Sequence, residues 1–306
     1  MGKIDVFSKR FYCDNCWAVF YSTNSNAEIG YMVPPPPNTS FSTQVLTRCI
    51  SLLIDTINPK APTNDVLELC CGGAVARKWI KNKSTRYVGL DLKSSVVEAT
   101  TELISSLQDE MSGISSYDVI CADAFSPDLW THHITKIHPR QFHTITVFSG
   151  FQHAFDNEKK IRHVIGSIAN TLVPRGVFLG CFFDISTLYE KGDTINDLFT
   201  VEWDDDFRPR NGNYFFLSIQ DEPRKKMNVI SIDFLVAVAQ EYGLSAIPEA
   251  CLTFLEILEN DPNFAKKFSK GEKEYLWAMR AFAFRKDGSP QTTVSQRANG
   301  SNGEGR

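Results

Sequence analysis

With 306 residues, 32 of them basic and 36 acidic, the chain is long enough for one large α/β domain and too evenly charged to hold nucleic acid by bulk attraction. Its 42% hydrophobic and 22% charged residues fit a soluble globular protein with a sizeable core. No apolar run reaches the roughly eighteen residues of a membrane span, and the first segment does not read as a signal peptide, so an intracellular protein is expected.

Residues 1–40 read as an N-terminal extension with basic and aromatic residues (Lys9, Arg10, Tyr12, Trp17) and the run Pro34 to Pro37, a stiff extended connector. The main domain is expected over 41–286. From Ser42 to Ile57, Val45, Leu46, Cys49, Ile50, Leu53 and Ile54 recur at helical spacing. Strands over 66–70, 86–91, 117–122, 144–149 and 177–183 then alternate with helices over about 74–82, 94–110 and 157–171. Such alternation predicts a parallel sheet with helices on both faces, and Pro174-Arg175-Gly176 is the expected turn before the last of these strands. A polar insertion follows, with a hairpin of Leu198–Trp203 and Tyr214–Ile219 joined across Arg208 to Asn213. A helix over 231–242, a short strand over 244–247, an apolar core stripe over 252–258 and an edge strand over Ala278–Arg285 complete the domain. Residues 287–306 are rich in Gly, Ser, Asn and Gln and read as a disordered tail.

The eight cysteines, Cys13, Cys16, Cys49, Cys70, Cys71, Cys121, Cys181 and Cys251, lie mostly inside apolar runs, as reduced buried thiols do. Cys13-x-x-Cys16 has no second pair, and His132, His133, His138 and His143 have no matched spacing, so no metal site is expected.

The most informative stretch is Val66-Leu67-Glu68-Leu69-Cys70-Cys71-Gly72-Gly73, followed by Val88-Gly89-Leu90-Asp91. A strand that hands over to a glycine turn, and a next strand that ends in a carboxylate, mark the ligand edge of an open α/β sheet. A nucleoside-bearing cofactor is expected there. Glu68 at the turn would repel a pyrophosphate but suits the cationic, phosphate-free S-adenosylmethionine. The glycine pair alone is equally consistent with a buried strand and a glycine cap.

Tyr87-Val88-Gly89-Leu90-Asp91 with Ser95-Val96-Val97-Glu98-Ala99 resembles the second strand and following helix of mRNA cap guanine-N7 methyltransferases. So do Phe155 to Gly180, Phe199-Thr200-Val201-Glu202-Trp203, Gly212-Asn213-Tyr214-Phe215 and the closing Ala281-Phe282-Ala283-Phe284-Arg285-Lys286. The resemblance covers residues 41–286 and implies a class I methyltransferase: a seven-stranded, mostly parallel, Rossmann-like sheet with helices on both faces and an insertion after the fifth strand. It implies S-adenosylmethionine as cofactor and the capped 5′ end of RNA as partner, with other capping enzymes as further partners, no membrane and a nuclear location.

Methyl transfer to guanine N7 needs no general base, because the ring nitrogen carries no proton; proximity and orientation do the work. By this resemblance Glu68, Cys70, Gly72 and Gly73 line the methionine and ribose, Asp91 binds the ribose hydroxyls, and Asp123 accepts from the adenine amino group beside Ala124 and Phe148. Asp123 also reads as a helix N-cap. The acceptor set is Gln152 and His153, with Glu222 as hydrogen-bond acceptor, Tyr275 or Trp277 as stacking face, and Lys78 and Arg48 for the phosphate bridge.

The chain departs from the family on the guanine side. Phe148 stands at the usual Gln, Gln152-His153 stands at the family's His-Tyr pair so that its aromatic is gone, and Met227 of Lys225-Lys226-Met227 stands where the family has Glu. The near-terminal Tyr aligns with Met279, and Cys70 stands for the first glycine of the turn. Three readings follow: an active cap guanine-N7 methyltransferase, a methyltransferase-like regulatory subunit, or a methyltransferase acting on another nucleoside or a small molecule.

Overall fold

A computed structural model describes residues 2–4, 11–13, 41–57, 64–81, 84–107, 116–134, 141–184, 194–196, 198–203, 213–219, 224–262, 264 and 267–288. The Pro34–Pro37 run, the 208–212 connection, Glu222, Cys16, His138 and the tail beyond Gly288 lie outside them. Two short strands, β1 (Gly2–Ile4) and β2 (Phe11–Cys13), pair antiparallel at the start.

The domain opens with α1 (Phe41–Ile57), whose buried side Val45, Cys49, Ile50, Leu53, Ile54 and Ile57 follows the helical spacing of the sequence. The alternation then appears as β3 (Asp65–Leu69), α2 (Gly73–Lys81), β4 (Arg86–Asp91), α3 (Ser94–Ser106), β5 (Ser116–Cys121), β6 (Phe142–Val147), α4 (Glu158–Thr171) and β7 (Leu172–Phe183). The insertion holds β8 (Thr194–Ile195), β9 (Phe199–Trp203), β10 (Tyr214–Ile219) and β11 (Lys225–Asn228); α5 (Ile232–Glu241), β12 (Leu244–Ala246), α6 (Phe254–Glu259), α7 (Lys270–Ala278) and β13 (Met279–Lys286) follow.

Seven strands form the main sheet in the order β12-β13-β7-β6-β3-β4-β5. β3, β4, β5, β6 and β7 run parallel, and β13 is antiparallel to both its neighbours. Strand order reverses at β3, which lies between β4 and β6, and open α/β sheets bind ligands at the carboxyl ends around such a switch point. One face packs α1, α2 and Val66, Tyr87, Leu179 and Phe183; the other packs Leu67, Leu69, Val88, Ile145 and Phe178 under α4 and α5.

Two features differ from the sequence reading. The run 279–286 is not an edge strand: it lies between β12 and β7, and its alternation is one of size, with Ala281 and Ala283 on one buried face and Phe282 and Phe284 on the other. Pro174-Arg175-Gly176 is not a separate turn but a bulge inside β7, where the register jumps from Phe142↔Leu172 to Thr144↔Val177 and Arg175 takes φ 66. The expected hairpin is present, within a four-stranded antiparallel sheet of its own, β11-β10-β9-β8. The segment before β6 contains a π-helix, Leu129–Ile134, held by buried Leu129, Trp130 and Ile134. The 252–258 stripe is core, with Phe254 and Leu258 fully buried.

Candidate functional site

At the carboxyl end of β3 the chain turns sharply. Cys70 adopts φ 53, Cys71 donates from its backbone nitrogen to the Leu90 carbonyl at 2.7 Å, and the Gly72 carbonyl accepts from Val75 and Ala76 to start α2. A side chain on Gly72 would meet nothing within 4 Å, so the turn borders open space of the kind a cofactor fills. Gly73 has the opposite reason to be glycine: an added carbon would sit 2.9 Å from Leu103 of α3.

Glu68 lies beneath this turn, not on its open side. It is 2% exposed, accepts from the Tyr87 hydroxyl at 2.8 Å, and is hydrogen-bonded by the Gly72 backbone. The sequence marks Tyr87 only as part of the β4 motif and assigns it no role, although alternation along β4 puts Tyr87 and Gly89 on one face and Gly89 pairs with Glu68. Burial pushes the Glu68 carboxyl up from 4.5 to about 8. An acid that holds its proton more tightly when folded stabilises the fold fully below its unfolded value and loses that contribution as pH rises through the folded one. The stability of the wild type relative to Glu68→Gln is therefore expected to fall between about pH 5 and pH 9, by urea denaturation, and then level off. A difference independent of pH would show that Glu68 is ionised throughout.

Asp91 and Asp123 stand at adjacent strand ends, joined by the Ala122 backbone nitrogen donating to the Asp91 carbonyl at 2.9 Å. Asp91 Oδ1 accepts from Lys93 N at 2.8 Å and Asp123 Oδ1 from Phe125 N at 2.9 Å, so each uses one oxygen to shape its own loop. The second oxygen of each has no hydrogen-bond partner among the described residues. Leu92 follows Asp91 with 71% of its surface exposed, an apolar face beside a carboxylate at the open edge. Its signal in the sequence was a leucine directly after the strand-terminal Asp. Ala124 and Phe148 are both buried in the core, so neither opens onto the cofactor edge.

Three acidic side chains thus surround the turn, Asp91 and Asp123 as carboxylates at the open edge and Glu68 protonated beneath it at neutral pH. The Cys70 thiol registers them: burial first, then Asp91, Asp123 and Glu68, push it up to about 12. Such an edge favours a cation and opposes a pyrophosphate. Cys70 also sits where glycine is favoured, and its sulfur lies 2.8 Å from where a side chain on Gly150, itself at φ 75, would begin. Left-handed backbone costs a non-glycine residue about 1–2 kcal/mol, partly offset by the extra entropy of unfolded glycine. Cys70→Gly is expected to stabilise the protein by about 0.5–1 kcal/mol in urea unfolding; a loss would mean that thiol packing outweighs the strain.

On the acceptor side, Gln152 and His153 lie in a 3-10 turn, Phe151–Phe155, after β6. Asn228 at the end of β11 donates to the Gln152 carbonyl at 3.0 Å and to Asp156 at 2.7 Å, and so fastens the small sheet to this turn. Trp277 is 45% exposed beside Ala278, whose carbonyl accepts from Asp184 just past the end of β7. The other expected members are placed elsewhere. Tyr275 is 4% exposed and its ring packs among Phe41, Phe183 and Phe199, which removes it as a stacking face. Lys78 donates to the Thr47 carbonyl of α1, and burial lowers it from 10.5 to about 7; Arg48 pairs with Asp261 at 2.6 Å. Both basic residues are committed to packing α1 rather than to an open phosphate site. Met227 packs partly against the core opposite Phe215, and Glu222 is outside the described residues. Among the described residues no group of His, Cys, Asp or Glu has the arrangement of a metal site, and His143 Nδ1 accepts from Asp65 N at 3.2 Å. No described helix is long and apolar enough to cross a membrane.

Residues 44–297 match the family model of the mRNA (guanine-N(7))-methyltransferase domain. The chain belongs to that family. It is 26% identical over 235 residues to the mRNA cap guanine-N(7) methyltransferase of Schizosaccharomyces pombe, covering 70% of this chain and 61% of that protein. The enzyme of the same name from Cryptococcus neoformans is 25% identical over 179 residues, covering 56% of this chain and 26% of the relative. The chain therefore spans less than two thirds of the length of these relatives. Among solved structures, the CcbJ methyltransferase from Streptomyces caelestis superposes with TM-score 0.51 at 11% identity, over 85% of this chain and 100% of that one. An S-adenosylmethionine-dependent methyltransferase from Clostridium acetobutylicum superposes with TM-score 0.50 at 14% identity, over 90% and 100%. These likenesses establish the class I methyltransferase fold.

Proposed function

We propose that the protein transfers the methyl group of S-adenosylmethionine to N7 of the guanine that caps an RNA 5′ end. Residues 41–286 are taken as the catalytic unit, working in the nucleus beside other capping enzymes. The observation that carries the reading is the carboxylate-lined turn at the switch point, open at Gly72 and adjoining the Gln152–His153 turn, in a chain of this family.

The cofactor supplies an electrophilic methyl group on a sulfonium. Asp91 accepts from the ribose hydroxyls through its unused oxygen, and Asp123 accepts from the adenine amino group in the same way. Leu92 offers the adenine an apolar face. Glu68 acts from below by holding the Gly72 backbone, and the negative edge tolerates positive charge as it passes toward the guanine. Gln152 and His153 orient the base, and Trp277 is the stacking face that remains on the surface. No side chain takes a proton, since N7 has none to give; the chain aligns nucleophile and methyl for an in-line displacement.

At saturating cofactor the rate is expected to be nearly flat above neutral pH. A steep rise between about pH 6 and 9 would indicate a hydroxyl acceptor activated by an enzyme base. One observation favours a second reading, a regulatory subunit: Phe148 and Met227, at positions that are polar in the family, are packed with apolar neighbours.

A further inference from the structure

The small sheet β8–β11 has two unlike faces. Inward, Phe199, Val201, Phe215 and Leu217 are buried against the main body. Outward, alternation along β10 sets Tyr214 and Phe216 beside Lys226 of β11 and the preceding Arg224. The Arg224 guanidinium carbon lies 3.7 Å from the centre of the Phe216 ring, and Lys226 Nζ lies 3.7 Å from the centre of the Tyr214 ring. The two rings meet edge to face at 5.6 Å, and Glu202 holds Arg224 at 2.6 Å. Both cations are exposed and both rings are half-buried. The same side of β11 continues, about 7 Å beyond Lys226, to Asn228, which is bonded to the Gln152 carbonyl of the acceptor turn.

We propose that this outer face binds single-stranded RNA, the nucleotides that follow the cap. Single strands are held by cations that track phosphates, interleaved with flat groups on which bases stack. Arg224, Phe216, Lys226 and Tyr214 supply both kinds, and each ring is freed for a base when the cation over it moves to a phosphate. A duplex keeps its bases out of reach of such a face, and an acidic peptide would use the charges but not the rings. The direction of the strand, away from the cap, rests on the proposed function; the binding of RNA does not.

The test is fluorescence anisotropy with a labelled, uncapped, single-stranded RNA of twelve nucleotides across a salt series. The wild type should bind with a steep salt dependence. Arg224→Ala/Lys226→Ala should bind at least about tenfold more weakly, with a salt slope smaller by about 1.4 for two lost phosphate contacts. Phe216→Leu should weaken binding about fivefold with the slope unchanged, and Arg224→Lys/Lys226→Arg should retain it. The proposal is overturned if the wild type does not bind, or if the double alanine variant binds like wild type. It is also overturned if polyglutamate competes as well as RNA while Phe216→Leu is silent, which would mark a docking face for an acidic protein. A kinetic comparison separates this from the function: wild type should show a lower KM for a capped twenty-nucleotide RNA than for the cap dinucleotide, and the double variant should lose that preference. No transfer to either substrate by wild type would defeat the proposed function and leave the anisotropy result standing.

Discussion

Asp91→Ala is expected to weaken binding of S-adenosylmethionine by about 1.5–3 kcal/mol, roughly ten- to more than a hundredfold, the range for a hydrogen bond to a charged group. The carboxylate stands at the end of β4, one residue from the Leu90 carbonyl that ties down the turn, and its Oδ1 already shapes the next loop through Lys93 N. Its other oxygen is the one free to meet a ribose hydroxyl. Asp91→Asn, which keeps one acceptor, should lose less. Isothermal titration calorimetry reads both variants, with circular dichroism as the control for folding. Unchanged affinity in the alanine variant would remove Asp91 from the cofactor site.

Phe282→Ala should cost about 3–5 kcal/mol of stability, the range for removing a buried phenylalanine from a packed core. The ring is fully buried and lies 5.0–6.0 Å from Phe178, Phe151, Phe284 and Phe182. It also occupies the space that glycine leaves at position 180, where an added carbon would sit 2.7 Å from it and 2.1 Å from the Val147 carbonyl. Through Phe151 this cluster supports the turn that carries Gln152 and His153. Guanidinium unfolding should show the loss, and hydrogen exchange should show faster opening of 151–155. A loss below about 1 kcal/mol would mean that neighbouring rings close the cavity.

The parallel sheet was legible because each of its elements writes a period into the chain. The positions that α1 buries were readable as helical spacing, and the apolar runs of β3, β4 and β6 as strands buried on both faces. Place within the sheet was less legible. In Ala281-Phe282-Ala283-Phe284 the alternation of small and large residues resembles the pattern of an edge strand, yet both faces are buried and the strand is internal. The bulge in β7 depends on register with β6, a long-range matter that Pro174-Arg175-Gly176 does not encode by itself.

The candidate site divides in the same way. The turn, Asp91 and Asp123 were readable because strand ends and glycine turns are local features. Tyr275, Arg48 and Lys78 were not, because a helix surface and a helix interior differ only by what packs on them: aromatic rings around Tyr275, Asp261 against Arg48, and the Thr47 carbonyl against Lys78. Asn228 could not be found from spacing at all, since its partners Gln152 and Asp156 are 76 and 72 residues away.

The central claim is methyl transfer to the cap, and the most direct measurement uses S-adenosylmethionine labelled in its methyl group. The full-length protein is incubated with RNA bearing an unmethylated guanosine cap and with the same RNA carrying a plain triphosphate, and the products are digested to nucleosides. Label recovered as 7-methylguanosine from the capped RNA alone is the predicted result. Cofactor binding without label in either RNA, with or without partner capping proteins, would contradict it and leave the fold in a regulatory role.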